Sequence, residues 1–339
     1  MNSRMLEEAA QSADVVRRQL QTNEAVMQEL GEALRKLSPR AVVTCARGSS
    51  DHAATFAKYL IEAYTQVLTS SAAPSMSSVY DTGMNLENSV CLAISQSGKS
   101  PDLLASVEKA RASGALVVAI CNTPDSPLMR MAQYAIDIGA GTERSVAATK
   151  SYIGSLSAIV HLLSSWTRSA ALLEALRIAP AQLEQSWSAD WSRAVETLQS
   201  AVNLFVIGRG FGLGIAQEAA LKLKETCGLH AEAFSAAEIQ HGPMALVRRD
   251  FPVIAFSQSD ETRSSIESVA REFADRGARV LLAGGHASGA IRLPAVTAHP
   301  VIEPMLMISS FYRMAESLAR ARGLDPDLPP HLRKVTETL

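Results

Sequence analysis

The chain has 339 residues, 47% of them hydrophobic, and a net charge of −2 from 32 basic and 34 acidic residues. That length predicts about two domains, and the apolar content excludes a largely disordered chain. The charge balance argues against a nucleic-acid-binding protein, and no apolar run approaches the roughly 20 residues of a membrane span. The start of the chain lacks a signal-peptide pattern and the four cysteines are scattered, so we expect a cytoplasmic protein without disulfides.

The first half of the chain alternates apolar runs with polar turns and helical segments. Residues 1–30 are predicted to form an amino-terminal helix. A β-branched run at 41–45 leads into Arg-Gly-Ser-Ser and then a helical stretch at 51–64, the order of a strand, a turn and a helix in a parallel sheet. The pattern continues with predicted strands at 90–94 and 116–121 and predicted helices at 101–112 and 149–166.

The same pattern starts again near residue 203. Strands are predicted at 204–207, 253–256 and 279–283, with a helix through Glu225. Arg47 and Arg209 are 162 positions apart, as are Ser95 and Ser257, each pair at a strand-to-helix turn. This repeat indicates a duplication. We predict two doubly wound α/β domains, at 30–170 and 195–325, joined by a polar linker around 168–200 and followed by an irregular tail at 326–339.

Ligands of parallel sheets bind at the carboxyl ends of the strands. In the first half those ends carry small hydroxyl residues and glycine, which let main-chain N–H groups approach a phosphate at a helix amino terminus. A helix-capping role for the serines is the alternative. The second half has Asp260 where the first has Gly98, and a carboxylate repels phosphate, so we expect the first half to bind it. These turns contain Gly48, Ser49, Ser50, Ser95, Gln96, Ser97 and Ser100.

Acid–base residues concentrate in the second half. Glu218, Lys222 and Glu225 share one helix face, which is either a solvated ion-pair surface or a site. His230 and His241 follow, eleven positions apart, which is not a helical ligand pair, so we expect no metal. With Glu232 and Glu238 nearby, general acid–base chemistry fits the segment better. By its capping signals, the polar cluster at 141–150 is predicted to be structural.

Several longer motifs resemble a known family. The two halves resemble paired SIS (sugar isomerase) domains. ALKLKETCGLHAEAFSAAEIQHGPMAL, SQSGKSPD, GTERSVAATKS and the tail DPDLPPHLRKVTETL resemble the isomerase half of glutamine–fructose-6-phosphate aminotransferase. Where that enzyme has its glutaminase domain, this sequence has a helical head with no cysteine after Met1. Together with ARGSSDHA, the motifs are similar to stand-alone SIS-type glucosamine-6-phosphate deaminases.

The resemblance implies a role for each matching residue. Ser95, Gln96, Ser97 and Ser100 hold the phosphate, with Ser49 and Ser50 close by. Val146 and Ala148 contact the sugar through main-chain groups; the family often has serine at the position of Ala148. No cofactor is implied.

The resemblance also implies the catalytic roles. Glu225 is the base that moves a proton between C1 and C2, and Lys222 steadies that base or the developing oxygen. His241 opens the sugar ring and reaches the neighbouring subunit's site, which implies a homodimer. Lys334 matches a Schiff-base lysine of the aminotransferase, a role that a substrate with its own nitrogen does not need.

Three other functions remain open at this point. A galactosamine-6-phosphate deaminase and a fructoselysine-6-phosphate deglycase use related chemistry, and the sequence does not resolve the contact to the C4 hydroxyl. A non-catalytic sugar-phosphate sensor is the third. The mixed charge and short length of the head argue against the DNA-binding helices that such regulators carry.

Overall fold

A computed structural model describes residues 3–332 and Lys334. Their α-helices and strands, in chain order, are α1 Arg4–Ala9, α2 Ser12–Thr22, α3 Glu24–Leu37, β1 Ala41–Cys45, α4 Ser49–Thr65, β2 Leu68–Ser71, α5 Pro74–Ser78, β3 Ser89–Ser95, α6 Pro101–Ala112, β4 Leu116–Cys121, α7 Pro127–Met131, β5 Tyr134–Asp137, α8 Lys150–Thr167, α9 Ala170–Trp187, α10 Ser192–Leu198, β6 Asn203–Gly208, α11 Leu213–Cys227, β7 His230–Ser235, β8 Pro252–Phe256, α12 Arg263–Asp275, β9 Arg279–Ala283, β10 Ile291–Leu293 and α13 Glu303–Ala321.

The described residues divide into two compact units. The amino-terminal unit contains residues 14–143 and 150–177 together with Lys334. The carboxyl-terminal unit contains residues 3–13, 144–149 and 178–332. The boundaries therefore interleave along the chain instead of following one cut.

Each unit contains one parallel five-stranded sheet, and the two sheets have the same topology. The first has the order β2-β1-β3-β4-β5, and the second, read from its β7 edge, has the order β7-β6-β8-β9-β10. Every pair of neighbouring strands is parallel. The shared strand order confirms the predicted pair of doubly wound α/β folds.

The central strands are buried on both faces, as their continuous apolar runs predict. On one face of the first sheet, alternate side chains of β3 and β4 pack with Leu103 and Val107 of α6 and Leu128 of α7. The intervening side chains, among them Leu92 and Ile120, are buried as well. In the second sheet, Phe205 of β6 packs with Phe234 and Phe251 at ring-centroid distances of 5.1 and 4.8 Å.

The amino-terminal segment corrects one prediction. Instead of a single helix over residues 1–30, the structure has α1, α2 and α3. The breaks fall at polar residues with other partners: the Ser12 hydroxyl donates to the carbonyl of Ala9, and the Asn23 amide donates to the carbonyl of Asp137. Side-chain hydrogen bonds of this kind compete with helical continuation.

The predicted linker at 168–200 is largely helical, because α9 and α10 occupy most of it. Four apolar side chains of α9 are buried at helical spacing, and Pro180 lies inside the helix. That apolar stripe stabilises a helix through packing, which here outweighs the hydrogen bond that a proline removes. The buried stripe consists of Leu172, Leu176, Ala179 and Leu183.

No helix of residues 3–332 is long and apolar enough to cross a membrane.

Candidate active site

Two polar turns flank the point where strand order reverses in the first sheet. β1 and β3 are neighbours, and the chain leaves β1 towards β2 and β3 towards β4. A sheet with this strand order binds ligands at that place, beyond the carboxyl ends of the strands. After β1, Gly48 precedes Ser49 and Ser50, which begin α4, and the turn after β3 runs from Gln96 to Ser100. The topology therefore brings the two predicted phosphate-binding segments to neighbouring strand ends.

The turn after β3 depends on a glycine. Gly98 has φ +64, and the hydroxyl of Ser95 accepts a hydrogen bond from its N–H at 2.9 Å. A Cβ at Gly98 would lie 2.3 Å from Ser126 Oγ and 2.8 Å from Cys121 Sγ. Both the backbone conformation and the close packing therefore require glycine here.

An ion pair connects the two turns. Arg47 donates from Nε and Nη2 to one carboxylate oxygen of Asp102, at 3.0 and 2.8 Å. Asp102 is 1% exposed and lies in the first turn of α6, whereas Arg47 is exposed. A buried carboxylate thus orients an arginine beside the turns, a group suited to a phosphate.

The serines do not act as ordinary helix caps at these turns. Gly48 is the amino-terminal cap of α4, and the side chain of Ser100 makes no capping hydrogen bond to α6. Because the capping alternative requires such a bond, the phosphate-binding interpretation is favoured. Nearby, burial raises the pKa of Asp51, and His52 and Arg47 partly oppose that shift.

Val146 and Ala148 lie in an irregular segment of the carboxyl-terminal unit, each half-buried. The segment is held by Glu8 of α1, whose carboxylate accepts hydrogen bonds from the N–H groups of Arg144 and Ser145, the latter at 3.0 Å. Glu8 is 7% exposed. Its fixed carboxylate explains how a segment without regular structure keeps one conformation.

Lys334 is paired with Glu143 in the amino-terminal unit. Its ammonium lies 3.2 Å from the Glu143 carboxylate, which also accepts hydrogen bonds from the hydroxyl and the N–H of Ser151 at 2.6 and 3.2 Å. Glu143 is 5% exposed and Lys334 retains part of its exposure. Glu143, at the start of the polar cluster at 141–150, therefore binds both the start of α8 and the tail lysine.

The predicted acidic face of α11 is a buried charge cluster. The Lys222 ammonium contacts the Glu225 carboxylate and lies 3.6 Å from Glu218, whose carboxylate also accepts a hydrogen bond from Tyr312 at 3.2 Å. Lys222 and Glu218 have side chains 1% and 0% exposed, whereas that of Glu225 is 19% exposed. A solvated ion-pair surface is therefore excluded, and Glu225 is the member of the cluster that reaches solvent.

Glu225 lines a cavity of about 400 Å³ within the carboxyl-terminal unit. The tail forms much of the cavity wall, with Leu328 and Leu332 both exposed on their outer sides. The other lining residues are Leu221, Lys224, Thr226, Gly228, Leu324, Asp325, Pro329 and Pro330. The cavity thus places a carboxylate in a wall made largely of apolar side chains.

His241 stands apart from this cluster. It is exposed and follows a short 3₁₀ turn at Glu238–Gln240. His230, Glu232 and Glu238 are exposed as well. Within residues 3–332 and Lys334 there is no group of three or more histidine, cysteine or acidic side chains arranged to hold a metal ion.

Sequence reasoning missed Asp102, Glu8, Tyr312 and the role of Glu143. Asp102 had a local signal, since Ser-Pro-Asp is typical of a helix amino terminus with an acidic first turn. Glu8 had none, because its partners Arg144 and Ser145 lie more than a hundred residues away along the chain.

Comparison with known proteins identifies the family. The SIS domain profile matches residues 37–165 and 197–293. The glutamine–fructose-6-phosphate aminotransferase of Methanothermobacter thermautotrophicus is 33% identical over 322 residues, which cover 91% of this chain and 52% of that protein. The chain therefore spans about half the length of this curated relative.

Two solved structures resemble the chain along almost its whole length. A protein of Silicibacter pomeroyi DSS-3, provisionally assigned as a phosphosugar isomerase, is 39% identical with a TM-score of 0.92 and covers 96% of this chain and 100% of its own. A glucosamine-6-phosphate deaminase of Thermotoga maritima is 19% identical with a TM-score of 0.79, over 99% of this chain and 100% of its own, and shows the fold alone. From the profile match and the shared fold, we conclude that the chain belongs to the SIS domain family.

Proposed function

We propose that the chain is a phosphosugar isomerase that deaminates glucosamine 6-phosphate to fructose 6-phosphate and ammonia. The observation that carries the proposal is the carboxylate of Glu225, held by a buried ammonium at the wall of a cavity. Isomerisation between C1 and C2 of a sugar needs such a base to move a carbon-bound proton. The similarity to sugar-phosphate enzymes of the same family supports the substrate class.

The phosphate is assigned to the turns at the ends of β1 and β3. Main-chain N–H groups of the turn after β3, the hydroxyls of Ser97 and Ser100, and the arginine held by Asp102 offer donors suited to a phosphate. Gln96, Ser49 and Ser50 belong to the same turns.

In the proposed reaction, the sugar ring first opens to the free aldehyde. Glu225 removes the proton at C2, whose acidity the neighbouring carbonyl raises, and returns it at C1, while O1 gains a proton and the amine nitrogen loses one. The product carries an imine at C2, and water hydrolyses the imine to the ketone and ammonia. Lys222 fixes the position of the carboxylate, since its ammonium contacts that group directly.

Two further residues complete the proposal. His241, exposed in the single chain, is assigned to ring opening at the site of a second copy, so the active form is a homodimer. Lys334 is assigned no covalent step, because its ammonium is paired with Glu143 and the substrate brings its own nitrogen. Val146 and Ala148 are assigned main-chain contacts to the sugar.

One observation favours a second candidate substrate. The cavity beside Glu225 is lined by four leucines and two prolines. An amino-sugar phosphate is polar throughout, whereas a fructosamine 6-phosphate with an alkyl amine, such as fructoselysine 6-phosphate, has an aliphatic chain that such a wall would bind. Galactosamine 6-phosphate differs from the first candidate only at C4, and no contact in the structure distinguishes the two.

The test is a panel assay with the purified chain. Glucosamine, galactosamine and fructoselysine 6-phosphates are incubated separately, and the ketose or aldose phosphate formed and the released ammonia or amine are quantified. We expect fructose 6-phosphate and ammonia in equal amounts from glucosamine 6-phosphate, and a decrease in kcat of about 10²–10⁴-fold in Glu225→Gln. Glu232→Gln, which changes an exposed carboxylate on β7, is the matched control and should retain the parent rate. Binding of all three compounds without turnover would contradict an enzymatic function and favour a sensor.

A further inference from the structure

The second sheet repeats the arrangement that surrounds the proposed phosphate site. β6 and β8 are neighbours at the reversal of strand order, and the turn Ser257–Asp260 follows β8, at the positions that Ser95–Gly98 occupy at the end of β3. Ser259 occupies the position of Ser97 in this repeat. By the rule that applies to the first sheet, this turn is also a place where an anion would bind.

A carboxylate of the chain itself already occupies this turn. Glu303 accepts hydrogen bonds from the N–H and the hydroxyl of Ser259, the latter at 2.8 Å, and from the N–H of Ala298 at 3.2 Å. Arg263 lies 4.0 Å from the same carboxylate, and Glu303 is 4% exposed. Three donors and a nearby guanidinium surround the carboxylate as they would a bound anion.

Asp260 belongs to this turn, and its charge was expected to exclude phosphate. Its carboxylate is nevertheless not the one that binds Ser259. Its carboxylate accepts hydrogen bonds from the N–H of Thr262 at 2.8 Å and from the amide of Gln258 at 3.0 Å. In the first sheet, by comparison, no carboxylate among residues 3–332 accepts a hydrogen bond from Ser97. The two turns therefore differ mainly in the presence of Glu303.

A cavity of about 360 Å³ opens beside this carboxylate. Its wall includes Glu303, Arg263 and Ser257, and Ser257 is fully buried. The Ser257 hydroxyl has no hydrogen-bond partner in the described part of the chain. A buried hydroxyl without a partner costs free energy, so its presence in the wall indicates a polar occupant.

We propose that the turn Ser257–Asp260 is a second anion-binding site, that Glu303 is its internal ligand, and that the site takes a small carboxylate once this side chain is removed. The turns of the first sheet then remain available to an external anion, whereas the corresponding turn of the second sheet is filled by Glu303. The proposal concerns the second sheet alone and does not depend on the reaction proposed above.

The experiment is chemical rescue of Glu303→Ala by acetate. Removal of the carboxylate leaves the donors of Ser259 and Ala298 unpaired, so the variant should melt at a lower temperature than the parent. Acetate at about ten times its dissociation constant should raise the Tm of the variant by roughly 3 °C more than chloride of equal ionic strength. The parent should respond equally to both salts. Broadening of the ¹³C-acetate signal by the variant, and not by the parent, measures the binding directly.

Two further variants test whether the effect of acetate is specific to the turn that Glu303 fills. Glu267→Ala removes another carboxylate from the cavity, one that binds the N–H of His286, and should gain nothing from acetate beyond chloride. Adding Ser259→Ala to Glu303→Ala should abolish most of the rescue. If Glu303→Ala is insoluble in chloride, the proposal requires acetate to restore soluble protein. Equal Tm values or yields of Glu303→Ala in the two salts would overturn it.

Discussion

The ammonium of Lys222 contacts the carboxylate of Glu225 one turn along α11, and the carboxylate is the more exposed partner, with side chains 1% and 19% exposed. Glu218 lies on the opposite side of the ammonium at 3.6 Å. One buried cation thus contacts two carboxylates, which fixes the position of Glu225 while leaving it at the wall of the cavity.

Lys222→Met should be strongly destabilising. It leaves Glu218 and Glu225 without their shared ammonium in a buried setting, and breaking such a pair costs roughly 3–5 kcal/mol. The measurement is the free energy of unfolding in urea. Lys224→Met removes an exposed charge from the same helix and should cost no more than about 0.5 kcal/mol. Similar losses in the two variants would contradict the buried cluster.

Gly98→Ala should destabilise the amino-terminal unit more than Gly139→Ala. Both glycines have positive φ, +64 and +67, which alone costs an alanine roughly 1–2 kcal/mol. A Cβ at Gly98 also meets Ser126 and Cys121 below 3 Å, whereas one at Gly139 has no atom within 4 Å. Overpacking adds roughly 1–3 kcal/mol. Urea denaturation of the two variants measures the difference, and equal losses would show that the turn is not tightly packed.

The pH dependence of stability should change when His161 is replaced. Burial lowers the pKa of His161 from 6.5 to about 4, with a smaller opposing effect of Glu24. As the pH falls from 6.5 to 4, the unfolded chain takes up a proton that the folded protein does not, so this histidine lowers stability progressively across that window. The full effect is roughly 3 kcal/mol.

His161→Gln should therefore be less stable than, or equal to, the parent at pH 7 and gain on it as the pH falls towards 4. Urea unfolding at several pH values measures the difference between the two proteins. His331→Gln, at an exposed position in the tail, is the control and should show a pH-independent difference. A constant difference for His161→Gln would mean that the buried imidazole titrates normally.

His241→Asn should affect a closed-ring substrate more than an acyclic analogue. If His241 moves protons during ring opening, its loss should lower kcat/KM about 10²-fold or more for the closed ring. The acyclic analogue bypasses that step and should react at nearly the parent rate. His230→Asn, at an exposed position on β7, should leave both unchanged. Equal losses on both compounds would remove His241 from ring opening.

The six central strands of the two sheets are predictable from sequence, and the four missed strands are all edges. β1, β3, β4, β6, β8 and β9 have continuous apolar runs because both faces are covered. The edge strands β2, β5, β7 and β10 are short or partly exposed. Leu-Thr-Ser-Ser in β2, for example, has one buried residue of four, so composition gives no strand signal.

The residues of the candidate site also differ in how far they can be predicted from local sequence patterns. Glu225 and Lys222 are predictable as a pair because helical spacing places them on one face. Tyr312, which donates to Glu218, and the internal ligand Glu303 are not predictable, since each meets its partner only through the packing of α13. Local patterns therefore identify the reactive groups, and tertiary contacts determine which of these groups are buried.

The interleaved boundaries of the two units have a consequence for how the repeat can be dissected. Residues 3–13 and 144–149 occur early in the sequence yet belong with the later part of the chain, where Glu8 fixes Arg144 and Ser145. A fragment that ended between the two copies would contain these two segments but would lack the rest of the carboxyl-terminal unit, to which they belong. The carboxyl-terminal unit therefore needs residues from the beginning of the chain to be complete.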